Sequence, residues 1–520
     1  MDKKLILIAN NIYCAIENLN TKLMHQSEDE KNDGKETFEE IMDFYITSHA
    51  MSFLKNICLG LEKSLGTFLN MRCILEAKAL LECYKKGDLN EEKIDLFKLQ
   101  YAIIEYKKYK EFFNMQGIIF KENLKENYDN VVEKFKKCCP KNVNLNKVLK
   151  TNLPFLLQTN ISFEHLIKDY LSKEELCMYK TCSQFIHPND NNTLWKFNID
   201  SYYILILNFL INKYINFNKN ETKATFFQLY NMYVNEKDSI PYKINEIVNK
   251  QVNELQKVID VFVKFYGINY HSNTLFILCN LLKDITSDFL FGFTEQVKIK
   301  WKISIEIFAI MDCLYNIGDD YENIYNRYKL LVMHTKNQLY ANNCIDTKTD
   351  EIYNLYKNMF PNGLNKNDFD KLFKTTLGFL IGEKGMNNDK MNAINLTSIV
   401  RHFADKLKNL DMTPNNSISK IIILNYIESQ ILSHSNGYMY YSNSGAWRDC
   451  NSVIQTFDIA LLYNLEKIFL NYKLHSIAEE SNQFKTLRNC VRNVIKRYKN
   501  QSMQKINLIN NTEKIDRTKL

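Results

Sequence analysis

The sequence predicts an all-α protein made of two tandem, diverged helical-bundle domains joined by a helical connector. Three observations predict it: few turn residues, helical spacing of apolar residues, and an internal repeat. Only 6 Pro and 14 Gly occur in 520 residues, fewer than all-β or α/β folds need for their turns. A chain of this length exceeds one ordinary hydrophobic core, which favours more than one domain.

Apolar residues recur at helical spacing from end to end. In segments 41–69 and 199–217 the apolar face is too wide for an exposed helix, which indicates buried core helices. The most apolar stretch, 202–215, is interrupted by Asn208, Asn212 and Lys213 and is shorter than a membrane span. No secretory cleavage site follows the N-terminal MDKKLILIANN. We therefore expect a soluble, cytoplasmic protein with no membrane partner.

Four segments of the first half recur, in the same order, in the second half. One covers 72–87 and 302–318 with one inserted residue, pairing Arg72 with Lys302, Glu76 with Glu306, Ala79 with Ala309, Cys83 with Cys313 and Gly87 with Gly318. A second surrounds Pro140 and Pro361, and a third covers 179–190 and 426–437. The fourth is a Trp followed by a basic residue, Trp195-Lys196 and Trp447-Arg448, before a long apolar helix.

These matches divide the chain into six parts. We expect an N-terminal helix and loop (1–37), copy A (38–220), a connector (221–257), copy B (258–475), a basic C-terminal helix (476–499) and a mobile tail (500–520), which loses helical periodicity. Pro241 is expected to break the helical pattern of the connector. The 13 scattered cysteines suit buried, reduced thiols rather than a disulfide framework, and their spacing predicts no metal site.

Copy A contains the strongest candidate site. Arg72 and Glu76 lie one turn apart in an otherwise apolar helix, so they must be paired or line a cavity. Tyr179, Ser183 and His187 follow in steps of four, which places them on one stripe of another helix. If the two helices pack together, these side chains supply a phosphate-binding cation, a titratable imidazole and a carboxylate, as acid–base attack on a phosphodiester requires. They could equally form a satisfied structural network.

Copy B keeps this layout with different chemistry, in Lys302, Glu306, Tyr426, Ser429 and His434. A lysine cannot reproduce the bidentate fork of an arginine, and Ser429 aligns with Cys182 rather than with Ser183. Copy B is therefore expected to be a degenerate or regulatory twin of copy A.

Two weaker signals lie outside these clusters. Arg327 and His334 have six residues between them, a spacing typical of the Arg/His motif of higher-eukaryote and prokaryote nucleotide-binding (HEPN) ribonucleases, although an apolar YKLLVM separates them. Near the C-terminus one cationic stripe could contact phosphate or an acidic partner, or could be a solvated face; it comprises Lys485, Arg488, Arg492 and Lys496.

A P-loop, a dinucleotide glycine motif, a His-Glu-x-x-His helix and a Gly-x-Ser-x-Gly elbow are absent from the sequence.

The early Arg-x-x-x-Glu helix and the late Tyr/Ser…His helix, followed by a tryptophan region, resemble a bacterial helical-domain family of unknown function. In this chain the matching residues are Arg72, Glu76, Tyr179, Ser183 and His187. That family is similar to HEPN-type domains, many of which cut RNA in toxin or phage-defence systems. Copy B departs from the pattern at the arginine and the serine. The resemblance covers about two-thirds of the chain in short motifs and leaves the activity open.

Two functions remain open on sequence alone. The first is a metal-independent ribonuclease or RNA-binding effector in bacterial stress or phage defence, without a cofactor, acting on RNA and assembling as a homo-oligomer or with a partner protein. In it Arg72 holds phosphate, His187 is the acid or base, Glu76 orients one of them, and Tyr179 and Ser183 donate hydrogen bonds. The second is a non-catalytic scaffold or sensor whose buried polar networks are purely structural. The burial of these side chains distinguishes the two functions, because a catalytic site must open on a cleft that a substrate can enter.

Overall fold

The structure is a computed structural model in which 92% of the described residues are helical and none is in a strand, so the predicted all-α class is confirmed. It describes residues 37–95, 129–130, 132–133, 136–137, 168–185, 200–214, 237–238, 240–266, 270–315, 396–407, 417–432, 446–475 and 482–519. Their helices are α1 Phe38–Cys58, α2 Leu65–Lys85, α3 Lys173–Phe185, α4 Asp200–Tyr214, α5 Ile240–Tyr266, α6 Tyr270–Leu290, α7 Thr294–Tyr315, α8 Leu396–Leu407, α9 Ser417–Leu432, α10 Ala446–His475 and α11 Asn482–Lys519.

The first helical pair, α1 and α2, begins and ends on local sequence signals. A capping box starts α1: the Thr37 hydroxyl accepts from the Glu40 amide, and the Glu40 carboxylate accepts from the Thr37 amide at 2.7 Å. Gly60, with φ +70°, lies in the turn that follows α1. Ser64 then caps α2 by accepting from the Gly66 amide. These signals make α1 and α2 an antiparallel hairpin of two long helices.

Helix α2 is buried along most of its length. It packs against α1 and α3 and also contacts α6 and α7. All but one of the residues from Leu65 to Leu81 in this helix are buried, the exception being Lys78, which lies partly exposed. A helix buried around its whole circumference has no solvent face for charges, so each polar group on it needs a partner within the protein.

A second set of helices packs around α7, which contacts α6, α8, α9 and α10. Trp301 of α7 is fully buried, and its indole N–H donates to the Thr456 hydroxyl of α10 at 3.0 Å. A buried tryptophan with a satisfied N–H gives both apolar area and a fixed orientation. None of the described helices combines the length and apolar composition that crossing a membrane requires.

Helix α5 extends past the expected end of the connector. Helix α5 begins at Ile240 and continues to Tyr266 without interruption, so it crosses the expected boundary at residue 257. Pro241 lies in its first turn, where the missing N–H costs nothing and the fixed φ suits the helix. Pro241 therefore lies at the beginning of this helix, and α5 packs against α6 and α11.

Residues 500–519 belong to the segment expected to be a mobile tail, and in the structure they continue α11 to Lys519. Ser502, Lys505 and Ile509 of this segment are buried. The Lys505 ammonium donates to Gln251 of α5 and to Asp458 of α10, each at 3.0 Å. Periodicity was lost in the sequence because polar residues occupy the packed positions, where they bond to one another across the helices.

Several expected features lie outside the described residues. They are the N-terminal segment 1–36, the segments around Pro140 and Pro361, the Trp195-Lys196 pair, and the residues Arg327, His334, His187 and His434.

Candidate functional site

Helices α2 and α3 bring three of the five predicted residues of copy A together. Arg72 Nε donates to Glu76 Oε1 at 2.9 Å along α2. The Tyr179 hydroxyl of α3 donates to the same oxygen at 3.2 Å, and the Arg72 guanidinium carbon lies 5.8 Å from the Tyr179 ring centroid. One carboxylate oxygen thus accepts from both helices. A cation over an aromatic face adds attraction between them.

The charges in this cluster stabilise one another. Burial alone would lower the pKa of Arg72, but the Glu76 carboxylate, together with Tyr179 and Cys73, outweighs that effect and raises the pKa above its ordinary value. Burial raises the pKa of Tyr179, and the negative charge of Glu76 adds to the increase. Arg72 is therefore a permanent cation, and Tyr179 stays protonated as a hydrogen-bond donor.

The cluster is closed to solvent. Arg72 is 6%, Glu76 0% and Tyr179 8% exposed. Ser183, one turn beyond Tyr179, has a buried hydroxyl that makes no hydrogen bond of ordinary geometry within the described part of the chain, although it lies near enough to Tyr179 to oppose the rise of its pKa. Three of the five predicted residues therefore form a sealed network, with Ser183 beside it.

The second half of the chain contains a related network between α7 and α9. Tyr426 donates to Glu306 Oε1 at 2.9 Å, and Lys302 Nζ lies 3.5 Å from the same oxygen. Burial raises the pKa of Glu306, with Lys302 and Tyr426 acting against the increase. The Ser429 hydroxyl donates to the Asn425 carbonyl of its own helix at 2.6 Å, so this bond lies within α9 and is not part of the Glu306 network.

The predicted basic stripe lies on α11. Lys485, Arg492 and Lys496 are exposed, and Arg488 is partly buried. The stripe is therefore largely available to solvent, and Arg488 contributes less to it than equal spacing alone suggests.

Sequence reasoning missed a larger charged cluster between the two halves of the chain. Lys55 of α1, Asp284 and Asp288 of α6, and Lys300 of α7 are each 0% exposed. Lys55 lies 3.3 Å from Asp284 Oδ1 and also contacts Asp288, while Lys300 contacts both carboxylates. Two cations and two anions therefore balance one another away from water, which is the condition for burying charge.

Neighbouring hydroxyl and amide groups complete this buried charge cluster. Asp284 Oδ2 accepts from Ser64 at 2.6 Å and from Asn56 at 3.0 Å. Burial alone would raise the pKa of Asp284, but Lys300 and Lys55 outweigh it, so its pKa lies below the ordinary value. The Asp284 and Asp288 contacts reach α1 and the start of α2, so the cluster ties the N-terminal hairpin to α6 and α7.

The signal for this cluster was present in the sequence. Lys55 stands in the apolar run MSFLKNIC, and Asp284 and Asp288 stand one turn apart in LLKDITSDFLF. The rule that singled out Arg72 and Glu76, namely charges within an otherwise apolar helix, applies equally to them. Which helices would meet is information that one sequence does not contain.

The described part of the chain holds no group of three or more His, Cys, Asp or Glu side chains placed to bind a metal ion. Its cysteines are all free thiols. Comparisons of the whole chain with protein-family models, with curated proteins and with solved structures found no match.

Proposed function

We propose that this chain is a non-catalytic helical scaffold or sensor protein whose buried polar networks hold long helices in a fixed register. The observation that carries the proposal is the closure of the Arg72–Glu76–Tyr179 network, in which no member is more than 8% exposed. An acid–base site must admit a substrate to its cation and its carboxylate. Here the carboxylate instead accepts from an arginine and a tyrosine of the protein itself.

The related network in the second half supports the same proposal. Lysine replaces arginine there, yet a tyrosine of a packed helix still donates to the buried carboxylate. A helix-pairing role requires the hydrogen bond from the tyrosine to the carboxylate, because that bond joins the two helices and fixes their register. It does not require the bidentate geometry of arginine, so lysine can replace arginine. We include in the proposal that the two halves are diverged copies of one helical unit.

A metal-independent ribonuclease or RNA-binding effector is the second candidate. Its support is the buried Ser183 hydroxyl, which makes no ordinary hydrogen bond among the described residues and lies on the stripe leading from Tyr179 towards position 187. In this candidate Arg72 holds phosphate, His187 is the general acid or base, and Glu76 orients one of these two side chains. It requires the network to open when RNA binds.

Incubating the protein with labelled RNA in the presence of a chelator distinguishes the two. If the protein is a scaffold, we expect the RNA to stay intact. We also expect Arg72→Ala to lower the free energy of unfolding by about 3–5 kcal/mol, because Glu76 then stays buried without the Arg72 cation. Denaturant unfolding measures the second effect. His187→Ala and the exposed-histidine control His402→Ala are expected to give the same RNA profile as the unmodified chain.

The opposite result supports the ribonuclease. RNA cleavage that persists in chelator, disappears in Arg72→Ala and His187→Ala, and survives in His402→Ala would contradict the scaffold proposal. Unchanged unfolding of the Arg72→Ala chain would contradict it as well.

A further inference from the structure

Helix α5 carries four lysines at a strict interval. Lys243, Lys250, Lys257 and Lys264 follow one another every seven residues, and all four are exposed. Seven residues are nearly two helical turns, so these side chains form one line along the helix. With a rise of about 1.5 Å per residue, neighbours are about 10.5 Å apart and the line is about 32 Å long. We call these four residues the lysine stripe.

The packing of α5 holds the lysine stripe towards solvent. The buried residues of this helix contact α6 and α11, and they include Ile244, Val248, Leu255, Val258 and Phe262. Because a long apolar seam fixes the rotation of α5, the backbone positions of the four lysines form a fixed, nearly straight row, which shifts around the helix by about 20° per interval, and not a flexible basic tail.

Few acidic groups offset the positive charge of the layer that α5 and α11 form together. Glu254 accepts from Lys257 at 2.6 Å and from Arg497 of α11 at 3.2 Å, which joins the lysine stripe to the neighbouring helix. Glu246 and Asp260 are the other acidic residues of α5. From Asn482 to Thr512 the sequence of α11 contains neither Asp nor Glu. The whole chain has a net charge of only +7, so positive charge is concentrated in this layer.

We propose that the lysine stripe binds the phosphate backbone of single-stranded nucleic acid without reading its sequence. A straight row about 32 Å long exceeds the size of a small anion and suits a polymer that can follow it. A single strand can lie along a straight line, whereas each strand of a duplex winds away from it. Lysine ammonium groups are point charges that contact phosphate without base specificity.

An anionic membrane fits this surface less well. An interfacial helix needs a broad apolar face beside its basic residues. Among the described side chains of α5, Val263 is the exposed large apolar one, and the other aliphatic side chains are buried or partly buried against the protein. The proposal goes beyond the scaffold function and is independent of the Arg72 network, so either can fail without the other.

Fluorescence anisotropy with labelled oligouridylate and oligodeoxythymidylate of equal length tests the proposal on the full chain. The triple variant Lys243→Gln/Lys250→Gln/Lys257→Gln is expected to weaken binding about tenfold or more at low salt. Its plot of log affinity against log salt should be shallower by about 2, since each single-strand phosphate contact contributes about 0.7. Tighter binding of one oligonucleotide would identify RNA or DNA as the preferred strand.

The control variant Lys85→Gln/Lys137→Gln/Lys173→Gln removes the same charge from exposed positions elsewhere and should bind as the unmodified chain does. Lys250→Glu provides a second, single substitution at the stripe, and equal unfolding midpoints confirm that every variant is folded. Equal weakening by both triple variants, an unchanged salt slope, or displacement of the strand by polyglutamate or by phosphatidylserine vesicles at equal charge would overturn the proposal.

Discussion

Lys300→Met is expected to lower the free energy of unfolding by about 3–5 kcal/mol, the cost of removing one partner from a buried ion pair. Lys300 contacts Asp284 and Asp288 with no solvent exposure, and its pKa is raised: burial alone would lower it, but the two carboxylates outweigh that effect. Without Lys300, two buried anions face the single cation of Lys55. Methionine has a similar length and no charge, so the loss measures electrostatics and not a cavity.

Chemical denaturation of Lys300→Met and of the control Lys250→Met measures this effect. Lys250 is exposed on α5, so the same substitution there should change the free energy of unfolding by less than about 0.5 kcal/mol. Equal stability of the two variants would show that the buried charge cluster does not hold α1 against α6 and α7.

Gly66→Ala is expected to destabilise the protein by about 1–3 kcal/mol or more, the usual cost of overpacking a core. A Cβ atom at Gly66 would lie 2.3 Å from Asp284 Oδ2 and 2.5 Å from Lys300 Cε. Both atoms belong to side chains held by ion pairs, so they cannot withdraw without breaking contacts of the cluster. At an exposed position within a helix the same substitution would be favourable by about 1 kcal/mol, so the sign itself is diagnostic.

Thermal or denaturant unfolding compares Gly66→Ala with Gly87→Ala. Gly87 has φ +79°, and a Cβ atom added there would meet no atom within 4 Å, so alanine introduces backbone strain of about 1–2 kcal/mol and no steric contact. Gly66→Ala combined with Lys300→Met should cost less than the sum of the two single changes, because both disturb the same contacts. A stabilising or neutral Gly66→Ala would contradict the close packing of α2 against the cluster.

Local rules predicted much of the framework and part of the candidate site. Few turn residues and helical spacing predicted the all-α class, and steps of four placed Tyr179 and Ser183 on one stripe of α3. The contact between Tyr179 and Glu76 was predicted only on the condition that the two helices pack together. The prediction was possible because each helix carries polar groups in an apolar setting, and such groups need partners.

The buried charge cluster and the continuation of α11 could not be predicted, because they depend on contacts between distant parts of the chain. Lys55 and Asp284 are more than two hundred residues apart in the sequence, and no local pattern pairs them. The continuation of α11 was missed for the same reason, since Lys505 is buried against Gln251 and Asp458 of other helices. A polar residue at a packed position resembles a solvated one until its partner is known.

The most direct measurement is a double-mutant cycle on the free energy of unfolding, with Arg72→Met, Glu76→Gln and the combined variant. Glutamine leaves an acceptor for Tyr179, so the cycle isolates the charge pair. If the pair holds the helices together, each single variant should lose about 3–5 kcal/mol, and the combined variant should lose less than their sum, with a coupling of up to about 3 kcal/mol. Additive losses below about 0.5 kcal/mol would contradict this role, because the pair would then contribute nothing to holding the helices together.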